Sequence, residues 1–94
     1  MTAYLVAQFN VKNKDALASY SAKAGPVIKS FGGQLMFKSP AGEILDGDHP
    51  KTGIAIFEFP DQETLKKFHG STDYQSLIEE RNQGADMAMI AFQS

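Results

Sequence analysis

Glu58 stands out in this chain of 94 residues as the side chain whose type and setting best suit chemistry. Side chains alternate along Ile54–Phe59, so Ile54, Ile56 and Glu58 share one face and Ala55, Phe57 and Phe59 the other. A carboxylate partly enclosed by apolar groups is favoured in its protonated form and serves as a general base. Here it would take a proton next to a carbonyl or from a phenol. The same alternation brings Gln8, Asn10, Gln34 and Lys38 to the face of Glu58, where Gln8 and Asn10 would orient a substrate. A plainer reading also stands: Glu58 and Lys38 form a cross-strand ion pair near the strand ends, open to solvent and worth little. His69 is the second candidate. It precedes Gly70 at a helix end, where the dipole favours an imidazolium. As a catalyst it would do acid–base work in a pocket between helix and sheet, with Tyr20 and Tyr74 as ligand-binding neighbours. Both tyrosines lie on apolar stripes, so core packing accounts for them equally well.

Other chemistries are excluded. Gly42–Gly47 has P-loop spacing, but Asp48 follows where a lysine should stand and would repel phosphate. There is no cysteine, hence no disulfide, thiolate metal site or cysteine nucleophile. No serine sits in a nucleophile elbow and no histidine pair has metalloprotease spacing. Asp46, Asp48 and His49 crowd one loop, yet lack the ordered ligand ladder of a calcium loop, so a solvated turn is expected and no metal. No cofactor is expected either. With 9 basic and 11 acidic residues the net charge is −2, which suits neither nucleic acid nor an anionic membrane. The longest apolar runs, Gly53–Phe57 and Met87–Phe92, fall far short of the roughly 20 residues that span a bilayer, and a cytoplasmic address is expected.

The elements that must position these residues follow from periodicity. Residues 4–11 alternate, with Leu5, Ala7, Phe9 and Val11 on one face and Tyr4, Val6, Gln8 and Asn10 on the other, which predicts a strand. Leu17, Tyr20, Ala24, Val27, Ile28 and Phe31 then form one helical stripe, capped by Asn13 and closed by Gly32-Gly33. Gly25-Pro26 inside that stripe predicts a kink or break. Gly33–Lys38 reads as a second strand, Glu43–Asp46 as a short extra strand or an extension, and Ile54–Phe59 as the third. Asp61 caps a helix that ends at Gly70. Thr72 and Gln75 have capping-box spacing for a further helical piece closed by Gly84, and Met87–Phe92 is the last strand.

The order β-α-β-β-α-β predicts one α+β domain over residues 1–94. It is ferredoxin-like, a four-stranded antiparallel sheet with helices on one face. Leu5, Ala7, Phe9, Leu35, Phe37, Ala55, Phe57 and Phe59 are expected under the helices. Tyr4, Val6, Met36, Ile54 and Ile56 would leave the other face too apolar to stand in water. A second copy packed sheet to sheet is its simplest cover.

Short stretches in order along the chain carry a family resemblance. They are Tyr4-Leu5-Val6-Ala7, Phe31-Gly32-Gly33, Leu45-Asp46-Gly47, Glu58-Phe59-Pro60 and Ser71-Thr72-Asp73-Tyr74-Gln75. From about Tyr4 to Phe92 the chain resembles the bacterial domain-of-unknown-function 1330 family of the dimeric α/β-barrel superfamily. The resemblance implies the barrel homodimer and supplies no reaction. Related barrels include cofactor-free monooxygenases, lactone isomerases and haem-active enzymes, an analogy of fold alone. The chain departs from the family pattern at Lys38, where arginine is usual, at Phe31, where tyrosine is, and at His69, where an aromatic is. Lysine lacks arginine's planar two-point contact with a carboxylate.

Three classes of function remain open on this reading. One is a cofactor-free enzyme acting on a small carbonyl or aromatic compound through Glu58 or His69. The second is a non-catalytic homodimer that binds a small molecule, and the third is an assembly module.

Overall fold

The computed structural model describes residues 1–94. Strand β1 (Ala3–Val11) leads into helix α1 (Lys14–Ser30), followed by β2 (Gln34–Ser39) and β3 (Gly53–Phe59). Helices α2 (Gln62–Gly70), α3 (Thr72–Gln75) and α4 (Ile78–Gly84) precede the last strand, β4 (Ala85–Gln93). The strands form one antiparallel sheet in the order β2-β3-β1-β4. This is the ferredoxin-like arrangement, with the helices on one face. No helix is long and apolar enough to cross a membrane.

Local chemistry sets the element ends. Asn13 caps α1 by accepting from the Ala16 amide at 3.0 Å, and Asp61 caps α2 by accepting from the Thr64 amide at 2.7 Å. Those bonds to the Thr64 amide hold the Asp61 carboxyl below the ordinary carboxylate range. Gly32 takes a φ of 80° just past α1, and the Gly33 amide reaches back to the Ile28 carbonyl at 2.9 Å.

Four expectations are corrected. The break at Gly25-Pro26 is absent, and α1 runs through both residues. Proline's ring clashes with the Cβ of a preceding helical residue, and Gly25 has none. Residues 43–46 form no strand; a single ladder-like bond, Gly42 amide to Thr52 carbonyl at 2.9 Å, closes that loop. The cap of α3 is Ser71, whose hydroxyl accepts from the Tyr74 amide at 3.1 Å, while Gln75 donates to the His69 carbonyl at 2.6 Å.

The fourth correction concerns β2. Leu35 pairs with Phe57, but Phe37 pairs with Ile56 and Lys38 with Ala55, because a bulge sits at Met36. Two residues on β2 there oppose one step on β3, so the facing reverses. Phe37 therefore lies on the open face of the sheet and Lys38 on the helix face, the opposite of what strict alternation predicts.

The core lies between the helix face of the sheet and α1, α2 and α3. Ala3, Leu5, Ala24, Phe59, Leu65, Phe68 and Tyr74 are its most deeply buried members. Phe59, Phe68 and Tyr74 stack in sequence, with ring centroids 5.3 and 4.7 Å apart. Helix α1 packs sideways on α4 more than down on the sheet. A Cβ on Gly84 would stand 2.5 Å from the Leu17 nitrogen, so glycine there sets how closely the two helices meet.

Candidate functional site

The sideways seating of α1 leaves a gap between its inner face and the sheet, bordered by residues of all four strands. A cleft of about 890 Å³ opens there. Leu35, Ala55 and Phe57 form its floor, Ala24 and Ile28 its roof, and Met87 and Met89 belong to its wall. Its size and apolar lining are those of small-molecule sites. Gly25 and Pro26 border it, and a Cβ built on Gly25 meets nothing within 4 Å. A glycine and a proline in mid-helix are both poor helix formers, by about 1 and 3 kcal/mol relative to alanine. Together they leave the cleft unfilled where larger side chains would close it.

Polar groups on the wall are few. Tyr20 contributes its edge from α1, and its hydroxyl lies 2.8 Å from that of Tyr74. Tyr74 in turn accepts from Arg81 Nη1 at 3.2 Å, and its Oη stands 3.6 Å from Met89 Sδ. With Arg81 donating, the Tyr74 proton is free to go to Tyr20 or to the sulfur. Burial first, and then the neighbouring Tyr74 hydroxyl, push the Tyr20 phenol far above the ordinary tyrosine range, against a small opposing pull from Arg81. Tyr20 is thus a protonated hydroxyl that gives or receives a hydrogen bond; it is not a base at neutral pH. Lys38 and Lys29 supply the two charged groups of the lining.

The structure brings together some of the residues singled out by sequence and separates others. Tyr20 and Tyr74 meet directly, and the His69 ring lies against Tyr74 at 5.5 Å between centroids. His69 itself is exposed at the end of α2, beside a shallower recess of about 330 Å³ near β4. Glu58 lies on the open face, half-buried, opposite Tyr4 and Gln34. Lys38 is across the sheet from it, and no ion pair joins the two. Gln8 is exposed on the open face between Ile54 and Ala88. Asn10 uses its amide to hold the loop before β3, donating to the Pro50 carbonyl at 2.8 Å and accepting from the Thr52 amide at 3.3 Å. In the loop, His49 Nε2 lies 2.8 Å from the Asp46 carbonyl, and nowhere do three His, Asp or Glu side chains converge as metal ligands would.

The family model described as a domain of unknown function, DUF1330, matches residues 2–94. The chain belongs to that family. Among solved structures, this DUF1330 chain is similar to a protein of unknown function from Rhodopseudomonas palustris. The two are 17% identical with a TM-score of 0.80, over 99% of this chain and 82% of that one. It is also similar to SnoaB, a cofactor-independent oxygenase from Streptomyces nogalater, at 11% identity and a TM-score of 0.71, over 99% and 92% of the two chains. A dimeric ferredoxin-like protein of unknown function from Thermobifida fusca matches at 12% identity and a TM-score of 0.61, over 100% and 92%. At these identities the likeness is one of fold. No curated protein sequence matches the chain.

Sequence reasoning missed Arg81, whose Nη1 donates to the Tyr74 hydroxyl at 3.2 Å. It also missed the opening under α1. The signal for the opening was present in Gly25-Pro26, whose meaning is an absence of side chain more than a bend.

Proposed function

We propose that this DUF1330 protein is a homodimer, joined through the open face of its sheet, that binds a small aromatic or carbonyl compound in the cleft under α1 without a cofactor. The cleft carries the reading: it is large, mainly apolar, and bordered by a glycine that has no side chain to fill it. Tyr20 lines the cleft, and its hydroxyl, now shared with Tyr74, would be the partner for a carbonyl or phenol oxygen. The dimer is supported by the open face. Phe37, Ile90 and Phe92 there are each more than half exposed, and Val6, Ile54 and Ile56 lie among them. Such a patch favours burial against a second copy, and dimeric ferredoxin-like proteins stand among the structural neighbours.

Catalysis on the bound compound is a second reading, and the Arg81–Tyr74–Tyr20 chain is the observation that favours it. A guanidinium at one end of linked hydroxyls strengthens the donor at the other, which suits stabilisation of an enolate or phenolate oxygen. The presence of a cofactor-independent oxygenase among the neighbours is consistent with such chemistry. Glu58 and His69, as base candidates, lie outside the cleft and would serve separate sites.

A thermal-shift screen against quinones, phenols, lactones and aromatic ketones tests the binding reading. A ligand at about 100 times its Kd stabilises the native state by about 2.7 kcal/mol, which is easily seen in a domain of this size. Ser21→Trp, one turn before Gly25 on the same helix face, should abolish the shift with the helical signal intact. Hits that survive Ser21→Trp would place the ligand elsewhere. Tyr20→Phe should weaken carbonyl ligands and spare hydrocarbons of the same shape. Phe37→Asp with Ile90→Asp should convert a particle of twice the 10.3 kDa chain mass into a monomer on sedimentation; a native chain that already sediments as a monomer would refute the dimer.

A further inference from the structure

The cleft has a sign as well as a shape. None of the 21 residues lining it is acidic, although acidic residues outnumber basic ones in the chain as a whole, 11 to 9. Its charged members are Lys29, from the last turn of α1, and Lys38, from β2. Neither ammonium has a carboxylate within ion-pair distance, whereas Lys23, Lys51 and Lys67 do.

The β2 bulge decides where Lys38 goes. Regular pairing continued from Leu35–Phe57 would set Phe37 against Ala55 under the helices and Lys38 against Ile54 on the open face. The bulge exchanges them. A phenyl ring joins the apolar open face, and an ammonium on a four-carbon stem joins the cleft. Bulges next to sites act in this way, re-aiming a side chain that the pleat would send elsewhere. Lysine suits the position, since its stem lies along apolar surface while its charged end stays at the water boundary.

Resting on the cleft reading above, we infer that the ligand is an organic anion: an apolar or aromatic body with one carboxylate, its body on Leu35 and Phe57 and its carboxylate on Lys38. The apolar floor excludes small, fully polar anions such as free phosphate. The absence of any acidic group disfavours cationic ligands, which would leave both lysines unopposed.

Matched acids and amides separate this inference from the reading it rests on. Phenylacetate, 2-naphthoate and octanoate, each beside its primary amide, would be titrated calorimetrically into the native protein, Lys38→Met and Ser21→Trp. The best acid should bind at least tenfold tighter than its amide, and its affinity should fall with added salt. Lys38→Met should erase the preference while leaving the amide's affinity within about twofold. Ser21→Trp should remove binding of both, with an unchanged circular dichroism spectrum. Equal affinity for acid and amide, or a preference that survives Lys38→Met, overturns the anion assignment and leaves the cleft as a binding site. Failure of every acid and every amide to bind at millimolar concentration overturns both.

Discussion

The helical layer has two halves built to different rules. At the end of the sheet where Ala3 pairs with Phe59, α2 and α3 press Phe68 and Tyr74 onto Phe59, and those three rings are essentially inaccessible. Toward Phe9 and Met87, and out over β2, α1 stands off. Leu35 is 55% exposed on a face that a fully covering helix would bury, and the cleft occupies the gap. Both halves use the same materials, an amphipathic helix and an alternating strand. The first buries aromatic rings; the second puts glycine and proline where its helix would otherwise fill the space. Stability is concentrated on one side, and the space for a ligand on the other.

Truncation on the two sides should therefore differ most. Phe68→Ala removes a fully buried ring from a stack that cannot readily collapse, at about 3–5 kcal/mol. For a domain with roughly 5–15 kcal/mol in all, that lowers the melting temperature by about 12–40 °C or unfolds it. Leu35→Ala should cost under about 1 kcal/mol, because half the side chain is already in water. Similar losses at the two positions, measured by urea denaturation, would erase the distinction between the halves. Gly84→Ala should come between them, at about 1–3 kcal/mol, since the added methyl meets the backbone of Leu17 and must push α1 outward. A loss in that range, with ligand binding weakened too, would show that the α1–α4 contact sets the height of the cleft roof.

Sequence alone reveals the first half better than the second. Period two in β1 and β3 and the stripe of α1 are long patterns, and they yield the ferredoxin-like order and most of the buried faces directly. Asn13 and Asp61 announce their helices because a cap needs only a short-range signal. The bulge at Met36 is different. One extra residue leaves the composition and apparent alternation of β2 intact, and its register is set by pairing with β3, a partner distant in sequence. Lys38 consequently appears beside Glu58 in the sequence and across the sheet from it in the fold. The Tyr20–Tyr74 pair is legible as two apolar-stripe residues, but the bond between their hydroxyls depends on how α1 and α3 dock. Gly25-Pro26 gives a clear signal with two meanings, a bend or an open space, and only the neighbours decide between them.

Gly25→Ala sharpens the comparison from the other direction. The new Cβ meets no residue across the fold, but the Pro26 ring follows it directly. The clash of that ring with a preceding helical Cβ opposes alanine's advantage of up to about 1 kcal/mol, so this variant should be less stable than the native chain. A single methyl borders the cleft without blocking it, so binding should persist. Stabilisation would mean that α1 takes a Cβ before proline without strain and that the missing side chain at Gly25 is not what lets the helix run on.

The smallest expected effect tests what holds α1 when the sheet does not. On its outer side Ser19 donates to Glu80 at 2.9 Å and Lys23 pairs with the same carboxylate at 3.1 Å, tying α1 to α4. Bonds from Lys23 and Ser19 hold the Glu80 carboxyl below the ordinary glutamate range. A carboxyl depressed in the folded state stabilises it above the unfolded chain's titration, and that contribution disappears as the pH falls through the folded-state value. The native protein should then exceed Glu80→Gln in stability at neutral pH by a small margin, and the margin should close on acidification through and below the glutamate range. Asp61 is depressed as well, but it is present in both proteins and cancels from the difference. A margin that stays constant with pH would assign the effect to shape and leave α1 held by Leu17 on Gly84 and by the Tyr20–Tyr74 bond alone. A margin that closes, accompanied by weaker ligand binding at acid pH in the native chain only, would show that the roof of the cleft is suspended from α4.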